Sequence, residues 1–181
     1  MTFTATPLAG AWSIDLKPFS DERGWFARYY CKNEFQAIGH SKEWVQMNQS
    51  VSYAEGTLRG LHFQHPPFRE IKLVRCIAGA VYDVIVDLRP GSSTFLQWFG
   101  TELSATNDRM LYIPEGFAHG FQTLAKDSAL LYHHTEFYAP GAEGGLRYDD
   151  PALGVNWPLP VAVISERDAQ HPYVDKNFKG I

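Results

Sequence analysis

Short runs of alternating apolar and polar residues, broken by glycine, proline and polar turns, recur along the chain. Alternation with a period of two is the mark of a strand with one buried face. The stretch Leu58–Gln64 shows it clearly: Leu61 and Phe63 share one face, while Gly60, His62 and Gln64 share the other. Trp12–Leu16 reads as an earlier strand, and a polar turn at Ser20–Gly24 leads into the aromatic run Trp25–Tyr30, so these two read as a hairpin. Asn33 is placed to cap a short helix through Ile38, with Gly39 closing it. Trp44–Val51 then puts Gln46, Asn48 and Ser50 on one side of a strand.

Pro66-Pro67 breaks the chain before Ile71–Ile77, which alternates apolar and basic positions, and Gly79 marks a turn. In Val81–Leu88, Tyr82, Val84, Val86 and Leu88 lie on one face, with Asp83, Ile85 and Asp87 on the other. That aspartate pair either faces solvent or lines a pocket. Leu96–Leu103, Met110–Ile113, Phe121–Leu124 and Ala129–Tyr138 continue the series, and Pro114–Gly120 reads as a tight, glycine-rich bend between strands. The last quarter is irregular. In it Ser165-Glu166-Arg167-Asp168 has the shape of a capping box, which alone makes Asp168 a helix-end carboxylate. Repeated short strands with few helical periods predict an all-β class, a sandwich or barrel.

Composition narrows this picture without changing it. The 181 residues suffice for one domain, taken as 1–181, and 45% hydrophobic with 14% aromatic residues supplies a core. A net charge of −4 argues against a general nucleic-acid or membrane-surface binder. Two cysteines, Cys31 and Cys76, are too few for a disulfide framework. The start MTFTATPLAG lacks a secretory pattern and no long apolar run follows, so the expected location is cytoplasmic. There is no phosphate loop before a helix, no CxxC pair and no nucleophile elbow. What remains is a set of polar residues spread over several strands: Arg59, His62, Lys72, Asp83, His119, Tyr132 and Asp168. The interior of a β-barrel is where they could converge.

Five ordered motifs carry a resemblance. Asp21-Glu22-Arg23-Gly24, Leu58–Gln64, Lys72–Cys76, Ile113–Phe121, and the late Leu131-Tyr132 and Asp149-Asp150 elements resemble the dTDP-4-dehydrorhamnose 3,5-epimerases in order and spacing. The resemblance implies a cupin-type jelly roll with short peripheral helices, usually a homodimer, needing no metal or cofactor. It also implies an epimerase of a nucleotide-linked 4-keto-6-deoxy sugar, acting at C3, C5 or both, in the making of rhamnose-like deoxysugars. Such a reaction removes a proton beside a ketone, passes through an enolate and returns a proton to the opposite face, so it needs a base, an opposed acid and donors around the oxyanion. By resemblance His62 is the base, Asp168 holds its other ring nitrogen, Tyr132 is the proton donor, and Lys72 stabilises the enolate or binds the sugar. Arg23, Arg28, Gln46, Asn48, Arg59, His119, Tyr138, Glu143 and Arg167 are likewise implied as substrate contacts, the arginines suiting phosphate oxygens.

The chain departs from the family pattern in one place. Where the family usually has glutamate four residues after Gly24, this chain has Arg28, and that charge reversal leaves the nucleotide open. Two other readings stand beside the epimerase. A metal-dependent cupin enzyme would use His62, His65, Glu70 and His119, although His62-x-x-His65 is not the usual H-x-H spacing. A non-catalytic sugar-nucleotide binding protein would bind without proton exchange. In the epimerase reading His65 sits at the rim of the pocket.

Overall fold

A computed structural model describes residues 1–181. Its strands, in chain order, are β1 (Thr2–Ala5), β2 (Trp12–Asp15), β3 (Phe19–Asp21), β4 (Gly24–Phe26), β5 (Gln46–Ser52), β6 (Leu58–Gln64), β7 (Lys72–Ala78), β8 (Ala80–Asp87), β9 (Trp98–Ser104), β10 (Met110–Ile113), β11 (Phe117–Thr123), β12 (Ser128–His134) and β13 (Glu143–Gly145). Two short helices, α1 (Lys32–Phe35) and α2 (Glu166–Ala169), lie outside the sheets. One sheet runs β1-β2-β10-β7-β12-β5 and the other β13-β6-β11-β8-β9, with all their pairings antiparallel. From β5 onward, strands consecutive in sequence alternate between the sheets, except that β8 and β9 share one. This is the jelly-roll arrangement.

The alternation read from sequence becomes layers. Val74, Cys76, Val81, Ile85, Leu111, Phe121 and Leu130 meet in one buried cluster contributed by both sheets. The opposite face of the five-stranded sheet is also buried: Leu61, Phe63, Val84, Val86 and Leu88 pack under Leu146, Leu153 and Ile181 of the C-terminal segment. Ile14, Leu73, Met110 and Tyr112 do the same on the six-stranded sheet, beneath Phe35 of α1. Burying each large side chain of this kind contributes about 1.5–3 kcal/mol. With both outer faces covered, polar residues collect at the open end between the sheets.

The aspartate pair of β8 does not face solvent. Asp83 and Asp87 are both fully buried. Asp87 accepts hydrogen bonds from the backbone and guanidinium of Arg89 and from the hydroxyls of Ser92 and Thr94, tying down the following turn. Burial pushes its carboxyl up, but these donors more than offset that and hold it at about 2.

Three expectations are corrected. The Pro114–Gly120 stretch is a bend only to Gly116, because β11 begins at Phe117 and carries His119 within the strand. The N-cap of α1 is Cys31, not Asn33, although Gly39 does close the following 3-10 turn with φ 82°. Strict alternation in β6 fails: His119 pairs with His62 but Phe121 pairs with Arg59, so β6 carries one extra residue at a bulge. Gly60 makes the bulge possible. It has φ 122°, and a Cβ there would come within 2.5 Å of the Cα of Gly120. The bulge brings Arg59 and His62 to the same cavity, which alternation alone would have separated.

Candidate active site

A cavity of about 610 Å³ opens between the sheets. Of the residues expected in a site, His62, Arg59, Lys72, His119, Tyr132, Asp168, Gln46, Asn48, Tyr138, Glu143 and Arg167 all line it. Its two walls belong to different sheets. His62 and Arg59 come from β6 and His119 from β11, whereas Tyr132, Lys72, Gln46 and Asn48 come from β12, β7 and β5.

His62 Nε2 lies 2.8 Å from Asp168 Oδ1. The other carboxylate oxygen accepts the backbone N–H of Gly60 at 3.0 Å, so the bulge glycine also fixes the carboxylate. Ser165 caps α2 by accepting the N–H of Asp168 at 3.1 Å, which leaves the Asp168 carboxylate free to reach β6 rather than its own helix. Burial pushes the Asp168 carboxyl up, but the hydrogen bond and charge of His62 and the Gly60 N–H outweigh it and hold the group below the usual carboxylate range. An ionised Asp168 keeps the proton on Nε2 and so leaves the lone pair on Nδ1.

Tyr132 sits on the opposite wall with its hydroxyl 3.0 Å from Ser50 Oγ of β5. Burial pushes its phenol far above the ordinary range, against a smaller opposing effect of Ser50, so Tyr132 stays protonated and is suited to give a proton rather than take one. Its ring stacks on His134 and meets His119 edge-on, each at 6.1 Å between centroids. His119 Nε2 is held by Asp83 at 2.9 and 3.0 Å to its two oxygens. A third pair supports Lys72: Glu70 binds His134 Nδ1 at 2.6 Å and Lys72 Nζ at 3.2 Å. Burial pushes Glu70 up, but His134 and Lys72 bring it below its ordinary value, so the ammonium keeps an ionised partner.

The rim is polar. Glu143 Oε2 accepts from Tyr138 Oη at 3.0 Å and Arg167 Nη2 at 2.9 Å, and Gln46 Oε1 accepts the N–H of Tyr138 at 3.1 Å. Arg59 Nε donates to Ser52 Oγ at 3.1 Å, which anchors its stem beside the cavity.

Arg23 and Arg28 are not brought to this cavity. Arg23 lies on the exposed β3–β4 hairpin and pairs with Asp21 of the same turn at 2.5 Å. Arg28 pairs with Glu34 of α1 at 2.9 Å, so a carboxylate from the helix faces the reversed charge. His65 lines a second depression instead of the rim of the first. The metal reading fails on geometry: His62, His65, Glu70 and His119 do not converge, with Glu70 committed to His134 and Lys72, and His119 to Asp83. Sequence reasoning missed Ser50 as the tyrosine's partner and His134 as part of the wall. The face shared by Gln46, Asn48 and Ser50 was the available signal for the first.

Comparison with known proteins agrees with the fold. A family model described as dTDP-4-dehydrorhamnose 3,5-epimerase matches residues 5–176. The enzyme of that name from Salmonella typhimurium is 46% identical over 165 residues, covering 90% of each chain. The crystal structure of the enzyme from Elizabethkingia anophelis superposes with a TM-score of 0.94 at 39% identity, covering 98% of each chain. A dTDP-6-deoxy-D-glucose-3,5-epimerase from Legionella pneumophila, solved in complex with dTDP-4-keto-L-rhamnose, gives 0.90 at 39% identity, covering 95% of this chain and 92% of that one. The chain therefore belongs to the dTDP-4-dehydrorhamnose 3,5-epimerase family.

Proposed function

We propose that this cavity epimerises a nucleotide-linked 4-keto-6-deoxy hexose of the dTDP-4-dehydro-6-deoxyglucose type, with His62 as base and Tyr132 as the opposed acid. Membership of the family makes the chain an epimerase. The observation that carries the residue assignment is their placement on opposite walls, one on each sheet. His62 Nδ1 takes the proton from carbon beside the ketone while Asp168 steadies the imidazolium. Charge grows on the ketone oxygen, where Lys72 supplies positive charge. Tyr132 then delivers a proton to the other face of the carbon, inverting it. Its phenolate regains a proton through Ser50 or water, and His62 returns its own to solvent.

Gln46, Asn48, Arg59, Tyr138, Glu143 and Arg167 would hold the nucleotide and diphosphate, since a guanidinium suits phosphate oxygens. Arg23 and Arg28 enter this reading only if a second copy completes the site. In support, Phe19 and Phe26 of the hairpin are 77% and 73% exposed, and the edge strand β5 exposes Met47 and Val51. We take the working form to be a homodimer of one 181-residue domain, cytoplasmic, serving rhamnose-like deoxysugar synthesis. No helix is long and apolar enough to cross a membrane.

The test is proton NMR in deuterium oxide with a small panel of nucleotide 4-keto-6-deoxy sugars. Deuterium is expected at C3, C5 or both with inversion, and the panel reads nucleotide preference at the same time. Binding without any exchange would leave only a sugar-nucleotide binding protein.

A further inference from the structure

Edge-on to the ring of His62 lies a group that the epimerase reaction does not use. His171, just beyond α2, directs Nε2 to within 3.7 Å of Asp168 Oδ1, the same oxygen that His62 Nε2 meets at 2.8 Å. The three donor atoms all lie within 4.8 Å of one another. The two imidazole rings stand at 76°, with centroids 5.6 Å apart. His171 Nε2 is buried and has no hydrogen-bond partner. Gly145 of β13 leaves room for the ring, since a Cβ there would collide with it.

We propose that His62, Asp168 and His171 form an inhibitory site for a divalent transition-metal ion of the zinc type. Two imidazoles and one carboxylate, with a fourth position open, are a donor set that zinc accepts. Donors around tetrahedral zinc stand about 3.4 Å apart, so the side chains need shifts of about 1 Å to close on the ion. Hard cations such as magnesium prefer all-oxygen ligands and do not fit. Access comes from a second depression of about 910 Å³, which His171 lines together with Glu143 and Arg167. The positive charge of Arg167 is balanced there by Glu143 at 2.9 Å.

The consequence follows from the tautomer. In the free enzyme the His62 proton sits on Nε2 and Nδ1 is the base. An ion bound at Nε2 takes that lone pair, so the single ring proton of the neutral imidazole moves to Nδ1. No electrons change hands and no net proton is released. With its nitrogen already protonated, His62 cannot accept the substrate's proton, while the nucleotide contacts on the rim are untouched. Zinc should therefore lower kcat with little change in KM. This inhibition rests on His62 being the base, whereas occupancy of the site does not.

The full chain is titrated with cobalt(II) alone, then with zinc chloride, and turnover is read in parallel. One equivalent of cobalt is expected to give the visible bands of a tetrahedral nitrogen–oxygen site, displaced by zinc. Zinc should abolish turnover at fixed KM, and EDTA should restore it. His171→Gln should keep turnover within about threefold and need at least tenfold more zinc for the same inhibition. In protein labelled with ¹⁵N-histidine, zinc should shift the Nε2 signals of His62 and His171, which reads the site even if the variant folds poorly. Absence of cobalt bands and of zinc inhibition up to about 100 µM, equal zinc sensitivity in His171→Gln, or shifts confined to other histidines would each overturn the proposal. Cobalt bands without loss of turnover would overturn the inhibitory role.

Discussion

Two histidines of one cavity are each paired with an aspartate, and the pairs are built differently. His62 meets Asp168 across 106 positions of sequence, through a helix that packs on β6, and its side chain is 37% exposed. His119 meets Asp83 on neighbouring strands of one sheet, with side chains 5% and 0% exposed. The first aspartate is further fixed by a backbone N–H, while the second gives both oxygens to one ring nitrogen. His119 meets the ring of Tyr132 across the cavity, although it belongs to the same sheet as His62 and pairs with it directly. The same pair of residue types thus differs in reach: a projecting histidine can take a proton from a ligand, and a recessed one is held in place by its carboxylate.

Exchanging the two histidines in turn would break or confirm this contrast. His62→Ala should cost the largest factor, about 10³ or more in kcat, since a general base is worth about 10²–10⁴ and its loss also removes the dyad. Nucleotide binding, followed by calorimetry, should stay within a few-fold. Tyr132→Phe should lower inversion by about 10² while leaving His62 able to exchange deuterium on its own face, so label should enter without inversion. His119→Gln should raise KM more than it lowers kcat. It should also cost about 3 kcal/mol of stability in a denaturant titration, because Asp83 is left buried with a poorer partner.

The smallest expected effect is in pH dependence. Tyr132 carries a raised phenol, so loss of activity through its ionisation should begin well above the ordinary value of 10. Asp168 has a depressed folded-state value, so its contribution to stability is present above the unfolded value near 3.8 and is lost as pH falls through the lower folded value. Acid unfolding of Asp168→Asn should lack that part of the wild-type dependence. A wild-type-like acid profile in this variant would show that the carboxylate is not held as the geometry indicates.

Much of this contrast was legible in the residues. Alternation along β6 and β8 marked them as strands, and the shared side of Gln46, Asn48 and Ser50 does line the cavity or support it. Two kinds of feature were not legible. One is close backbone approach: Gly60 lies against Gly120 where β6 bulges, although Gly60 read as an ordinary strand position and Gly120 as the end of a bend. The other is long-range pairing. Ser165–Asp168 has the look of a self-contained capping box, and only the fold shows that Ser165 caps the helix while the Asp168 carboxylate serves β6. Asp83 was ambiguous for the same reason, since a strand pattern cannot say which face of a sheet another sheet covers.

The most direct measurement compares solvent deuterium exchange into the same keto-sugar substrate by His62→Ala and His119→Gln, at saturating substrate and with nucleotide affinity checked in both. The account predicts that exchange disappears in His62→Ala and survives, slowed, in His119→Gln. Exchange at the wild-type rate in His62→Ala, or its abolition by His119→Gln alone, would contradict the assignment of His62 as the base.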